Sequence, residues 1–225
     1  MYNQLLDTLY ILPILLFSIV VHELAHGWMA LRLGDPTARD MGRLTLNPLP
    51  HIDPVGSVLV PLFSLLAAGR VFIAWAKPVP VNPMNFSNYR RDDILVSVVG
   101  PLSNLFMALG CTIAFILLRS VNPTAPVDGS DIRDLSGFLL NMFLGGIRLN
   151  VGLAVFNMIP VPPLDGSHVL ASFLPPAAGE RYRSIGFVGI FILLFLMRWP
   201  PFNEVLGQVM HLVLLPYAIL IRLFA

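Results

Sequence analysis

His22, Glu23 and His26 are the side chains whose types and spacing point most directly to chemistry. They form the pattern H-E-x-x-H, His22-Glu23-Leu24-Ala25-His26. On a helix, residues four apart share a face, so both imidazoles can reach one zinc ion. Glu23 stands beside them, suited to take a proton from water activated at the metal. Catalytic zinc ordinarily has three protein ligands and one open position. The same helix offers no third ligand, because Gly27, Trp28, Met29, Ala30 and Leu31 follow His26.

The strongest candidate elsewhere is Asp165, in Asn157-Met158-Ile159-Pro160-Val161-Pro162-Pro163-Leu164-Asp165-Gly166. Prolines end a helix there, Asp165-Gly166 permits a sharp turn, and Ser167-His168 can restart a helix. A carboxylate on such a broken element can aim at a metal; the alternative is a capping Asp at the membrane surface. His51, Asp53 and His168 compete for the same position. His51 and Asp53 can instead stand behind the ligands, contact substrate, or sit as interfacial polar residues. His211 reads as a packed histidine. Two asparagines are singled out, since an amide in apolar surroundings needs partners. Asn104 can donate to a peptide oxyanion or join helices through neighbours such as Ser103. Asn157, close to Asp165, reads as a catalytic oxyanion donor.

The elements that carry these residues are membrane spans. From Thr8 to Leu31, 24 residues, Glu23 is the only formally charged side chain. That length crosses a bilayer as a helix, and polar groups at such depth usually mark function. Further apolar segments run from about Pro54 to Ala76, Ile94 to Leu118 and Leu135 to Ile159. Ser184–Met197, at 14 residues short for a span, reads either as a span or as a tilted or partly immersed helix, and with Val205–Ile221 it brings the set to five or six. The expected fold class is an all-α membrane protein with Pro-rich re-entrant or extended segments near the active site. Two such segments are Gly42–Pro54, with strand-like alternation at Arg43–Leu46, and Ala74–Pro83. Non-helical backbone at membrane depth survives only where protein or a wet cavity satisfies it, so one or both should fold back against the helices near the site.

Composition agrees. The chain has 225 residues, 56% hydrophobic and 12% charged, with mean hydropathy +0.76. Soluble domains carry about 25% charged residues. A net charge of +1 gives no sign of a nucleic-acid partner. The single cysteine, Cys111, excludes an intrachain disulfide and reads as a small buried residue. The first apolar segment lacks a basic leader and reads as a retained span. Lys and Arg divide almost equally between the two sides; Arg32, Arg39 and Arg43 lean towards a cytoplasmic face after the first span.

Taken together, these motifs resemble the site-2 protease family of intramembrane zinc metalloproteases. The matching elements are His22-Glu23-Leu24-Ala25-His26, Gly100-Pro101-Leu102-Ser103-Asn104, and Asn157 through Gly166, in family order. The resemblance implies zinc held by His22, His26 and Asp165, with Glu23 as general base. It covers residues 8–170; beyond about Leu170 no family motif is evident, and the chain looks like a compact form without a PDZ or CBS domain. The expectation is a single membrane-embedded domain over 1–225, with C-terminal helices at about 184–222, in a prokaryotic cell membrane. Its expected partners are the lipid bilayer and a transmembrane substrate protein cut by regulated intramembrane proteolysis. A metal-ion transporter using the same ligands is the alternative, but few further intramembrane acids or histidines are present to line a path.

Overall fold

The computed structural model describes residues 2–59, 76–127, 135–186 and 188–224. Among these, every regular element is helical. Four helices carry a stretch long and apolar enough to cross a membrane. They are α1 (Tyr2–Arg32, apolar from Ile11), α3 (Tyr89–Val121), α4 (Leu135–Asn157) and α8 (Pro200–Phe224). The short helices are α2 (Thr37–Asp40), α5 (Asp165–Phe173), α6 (Pro176–Arg183) and α7 (Val188–Leu196). This protein is therefore a multi-pass membrane protein of the all-α class.

The helix ends follow local chemistry. Gly34, at φ 104°, occupies the left-handed region that closes α1, and Asp35 N–H bonds back to Ala30 O at 2.9 Å. Asn88 caps α3: its side chain accepts from Arg91 N–H, while Asp92 accepts from Asn88 N–H. This reciprocal cap extends α3 through Arg90, Arg91, Asp92 and Asp93, well before the apolar run begins at Ile94. At the other end of the pair, α4 stops at Asn157 rather than Ile159, because Pro160, Pro162 and Pro163 cannot continue it.

The spans meet around Ile14 of α1, Ala108 and Cys111 of α3, Ile147 and Val151 of α4, and Tyr217 of α8. Lipid gives helices no hydrophobic reason to associate, so close van der Waals packing must hold them. Gly146 permits it, since a Cβ there would lie 2.9 Å from Cys111 Sγ and 3.1 Å from Ile14 Cγ1. Cys111 is thus the small buried residue expected.

Two expectations need correction, and a third lies mostly outside the described residues. Ser184–Met197 is not a span: its helical part, α7, has nine residues and rises only about 14 Å. It packs against the proline turn instead, with a Cβ at Gly189 placed 1.7 Å from Pro162 O. The expected second span, Pro54–Ala76, lies mostly outside the described residues, which include only a π-helical turn at Pro54–Leu59 and Ala76 itself. His211 is not packed but exposed on α8, beside Glu204 and Gln208.

Candidate metal centre

His22 and His26 lie one turn apart on α1, and both are buried. Their Nε2 atoms stand 3.0 Å from each other. Asp165 brings its Oδ2 to 3.2 Å from His22 Nε2 and 3.4 Å from His26 Nε2. Among the described residues this trio is the one cluster that could hold a metal ion. Asp165 Oδ2 is buried without a hydrogen-bond partner. Each imidazole turns its Nε2 towards that oxygen.

The opposite ring nitrogens fix that orientation. His26 Nδ1 lies 2.7 Å from Val96 O, which can only accept, so Nδ1 carries the proton. His22 Nδ1 lies 2.6 Å from Asn104 Oδ1. Asn104 is held oxygen-first because its Nδ2 donates to Asn150 Oδ1 at 3.0 Å, and Asn150 Nδ2 donates to Gly146 O at 2.9 Å. Both Nε2 lone pairs therefore face Asp165. Three electron-rich atoms repel one another unless a cation sits between them. Their spacing fits one: a tetrahedral zinc with bonds of about 2.0–2.1 Å has ligand-to-ligand edges of roughly 3.3–3.4 Å. Gly100 leaves room for this, since a Cβ there would lie 2.3 Å from His26 Nε2 and 2.8 Å from His22 Cε1.

Asp165 reaches the trio from a differently built element. After α4 the chain runs through Pro160–Leu164, with a cis peptide bond at Pro162–Pro163, and α5 starts at Asp165 itself. The restart comes two residues earlier than Ser167, because the sharp turn is made by the prolines and not by Asp165-Gly166. Gly166 is still required, as a Cβ there would fall 2.3 Å from Met158 O. Tyr182 of α6 donates its hydroxyl to Pro160 O.

Glu23, half-buried, points to irregular backbone. Its Oε2 accepts the Val79 N–H at 2.7 Å. Residues 76–82 form an extended strap that is tied at both ends. Near its start, Lys77 N–H bonds His51 O at 2.9 Å and Arg43 Nη2 bonds Lys77 O at 2.8 Å. Near its end, Asn82 N–H and Asn85 Nδ2 each donate to the fully buried Asp35 at 2.7 Å. Burial alone would raise the Asp35 carboxyl, but hydrogen bonds from Thr37, Asn82 and Asn85 outweigh it and hold the group below the usual carboxylate range. The expected folding-back of a Pro-rich segment is therefore present.

The remaining candidates are placed as follows. Asn104 touches His22, not an oxyanion position, while Ser103 bonds Gly100 O. His51 is buried in the loop, its Nε2 3.0 Å from Thr45 O. Asp53 caps the turn after it, accepting from Val55 N–H and Gly56 N–H. His168 lies 3.7 Å from Asp93, outside the trio. Asn157 gives one amide N–H to Leu153 O at 3.0 Å. Asn150 and the Val79 N–H were not anticipated. Asn150 carried a signal, being an amide in the middle of an apolar span. A backbone N–H carries none.

The sequence comparisons agree with this geometry. YwhC of Bacillus subtilis (strain 168) is 37% identical over 204 residues, covering 86% of each chain. This decides the family. The chain belongs to the site-2 protease family, peptidase family M50. The model of peptidase family M50 matches residues 134–197, so family character runs past Leu170 into α7. Rip2 of Mycolicibacterium smegmatis is 31% identical over 192 residues, 84% of this chain and 66% of Rip2. Rip2 of Mycobacterium tuberculosis (strain H37Rv) is 31% identical over 182 residues, 81% of this chain and 62% of Rip2. All three relatives are named as zinc metalloproteases. No solved structure matches the chain significantly.

Proposed function

We propose that this zinc metalloprotease is an intramembrane endopeptidase, cutting a peptide bond within or next to a transmembrane segment of another protein. The observation that supports it best is the convergence of His22 Nε2, His26 Nε2 and Asp165 Oδ2 among apolar helices. Zinc bound by these three atoms would polarise the scissile carbonyl and acidify the attacking water. Glu23 takes the proton from that water and passes it to the leaving amine. The strap's Val79 N–H holds the Glu23 carboxylate in place while it does so. Asn157, with one N–H given to Leu153, offers its other N–H to the developing oxyanion. Asn104 and Asn150 keep His22 in the tautomer that presents Nε2.

A helical substrate hides its peptide bonds and must unwind before attack. The strand-like alternation expected at residues 43–46 is irregular chain in the structure; it is still the piece to which we assign the unwound stretch, held by strand addition. Substrate choice then follows helix instability. Placing Gly or Pro in a substrate span lowers the cost of unwinding by about 1 and 3 kcal/mol relative to Ala.

The test incubates purified, zinc-loaded protein with matched single-span substrates in liposomes and maps the cut by mass spectrometry. Cuts inside or beside the span, faster with added Gly or Pro and stopped by a chelator, are expected. Cleavage only of soluble peptides, or none after zinc is restored, would defeat the reading.

A further inference from the structure

The three ligand atoms come from two elements that barely touch each other. Helix α1 carries His22 and His26, α5 carries Asp165, and each packs extensively on α3. Helix α3 therefore sets the distance between the histidines and the carboxylate. It holds the histidines through Val96 O and Asn104. Its grip on α5 is a buried carboxylate one turn earlier, Asp93, whose side chain is 7% exposed.

Asp93 gathers three elements. Arg183, the last residue of α6, places Nη2 2.7 Å from Asp93 Oδ2. Ser172 of α5 places Oγ 3.1 Å from the same oxygen and 3.5 Å from Arg183 Nη2. His168, also of α5, brings Nδ1 to 3.7 Å from Asp93 Oδ1. Arg183 Nη1 bonds the hydroxyl of Tyr89 on α3, and the guanidinium lies 5.3 Å from that ring's centre. Two residues of the cluster thus sit on the nine-residue helix that begins at Asp165. A part-buried ion pair is a weak source of stability, but it fixes one arrangement, because Asp93 left alone would be a buried uncompensated charge.

We infer that Asp93 and Arg183 are positioning residues for the metal centre, clamping α5 to α3 so that Asp165 Oδ2 stays within ligand distance of the two histidines. The inference rests on Asp165 being a zinc ligand. Neither residue touches substrate or metal; they act through α5. The C-terminal part of the chain then has a defined use, since α6 supplies the arginine.

The test measures zinc affinity of the full chain in detergent, by competition with a chromogenic chelator, alongside Tm without zinc. Asp93→Asn and Arg183→Gln should each weaken zinc binding by about 10- to 100-fold, the range for groups that orient ligands. Arg183→Lys, which keeps the charge, should recover part of that loss, and saturating zinc should restore turnover. Leu140→Ala, in a separate buried cluster with Phe115 and Ala125, supplies a destabilised control. It should lower Tm with zinc affinity unchanged. Asp165→Ala separates the two claims: if it binds zinc normally, the ligand assignment fails. If it loses zinc while Asp93→Asn and Arg183→Gln bind as the wild type does, the clamp fails. A zinc loss no greater than in Leu140→Ala at equal loss of Tm also overturns it. Should the harsher variants not fold, wild-type zinc affinity in both folded Arg183→Lys and Ser172→Ala would do the same.

Discussion

The two halves of the site are held by different means. In the ligand half Asp165 follows the proline turn, while His22 and His26 lie among continuous helices, whose backbone N–H groups are already spent on the i to i−4 ladder. There His22 is oriented by a side-chain relay through Asn104 and Asn150, and only His26 finds a carbonyl, Val96 O. The base half is faced by extended chain, whose N–H groups are not committed. There Val79 N–H binds Glu23 directly, and the strap is tied down by Asp35, Arg43 and the His51 carbonyl. Regular structure inside a membrane thus needs buried amides to steer its ligands, whereas irregular structure can steer with its own backbone but must itself be anchored. The division has a functional reading: damage to the first half should strike zinc, and damage to the second should strike turnover.

The largest break in the ligand half is Gly100→Ala. A Cβ placed 2.3 Å from His26 Nε2 must push a ligand aside. Zinc affinity should fall by about 100-fold or more, at the upper end of what disturbed ligand orientation produces, as read by chelator competition. Gly207→Ala, with nothing within 4 Å of its Cβ, should change nothing.

Next come Asn104→Leu and Asn150→Leu. Each should weaken zinc by about 10- to 100-fold, and the double variant should be little worse than either, because one relay is broken once. Additive losses in a double-mutant cycle would mean the two amides act separately.

Val79→Pro addresses the other half. It deletes a single N–H within an already proline-rich strap, and turnover should drop by about 10- to 100-fold as Glu23 loses its position. Zinc affinity should stay within about twofold of wild type, inside the scatter expected for an independent site. A parallel loss of zinc would erase the distinction between the halves.

The smallest effect belongs to Asp35→Asn, which loosens the strap's far end. Because the folded Asp35 carboxyl lies below its unfolded value of about 3.9, its contribution to stability is present above that pH. It is lost as pH falls through the lower folded value. Asp35→Asn should therefore lower Tm at neutral pH and flatten the decline of Tm below about pH 4. An unchanged acid limb would remove Asp35 from the anchor.

How much of this was legible in the sequence tracks the cost of each residue in its setting. His22, Glu23 and His26 stand out because a bilayer selects against all three, and a proline-broken helix end made Asp165 readable. Asn104 was visible as a buried amide, but its partner depends on helix packing, and packing turns it towards His22. Asp53 and His168 have the right chemical types yet are absorbed by a turn cap and an ion-pair cluster. Ser184–Met197 stayed open because apolar composition does not distinguish a span from a short helix lodged against a proline turn. The Asp93–Arg183 pair joins residues 90 apart in sequence, a separation no local pattern spans.

The most direct measurement compares wild type with Glu23→Gln for zinc content and for cleavage of one single-span substrate, on the same purified samples. Gln is nearly isosteric and still accepts the Val79 N–H, but cannot take the water's proton. The account predicts full zinc and a fall in cleavage of about 100- to 10,000-fold, the range for a lost general base. Cleavage at the wild-type rate with full zinc would contradict it.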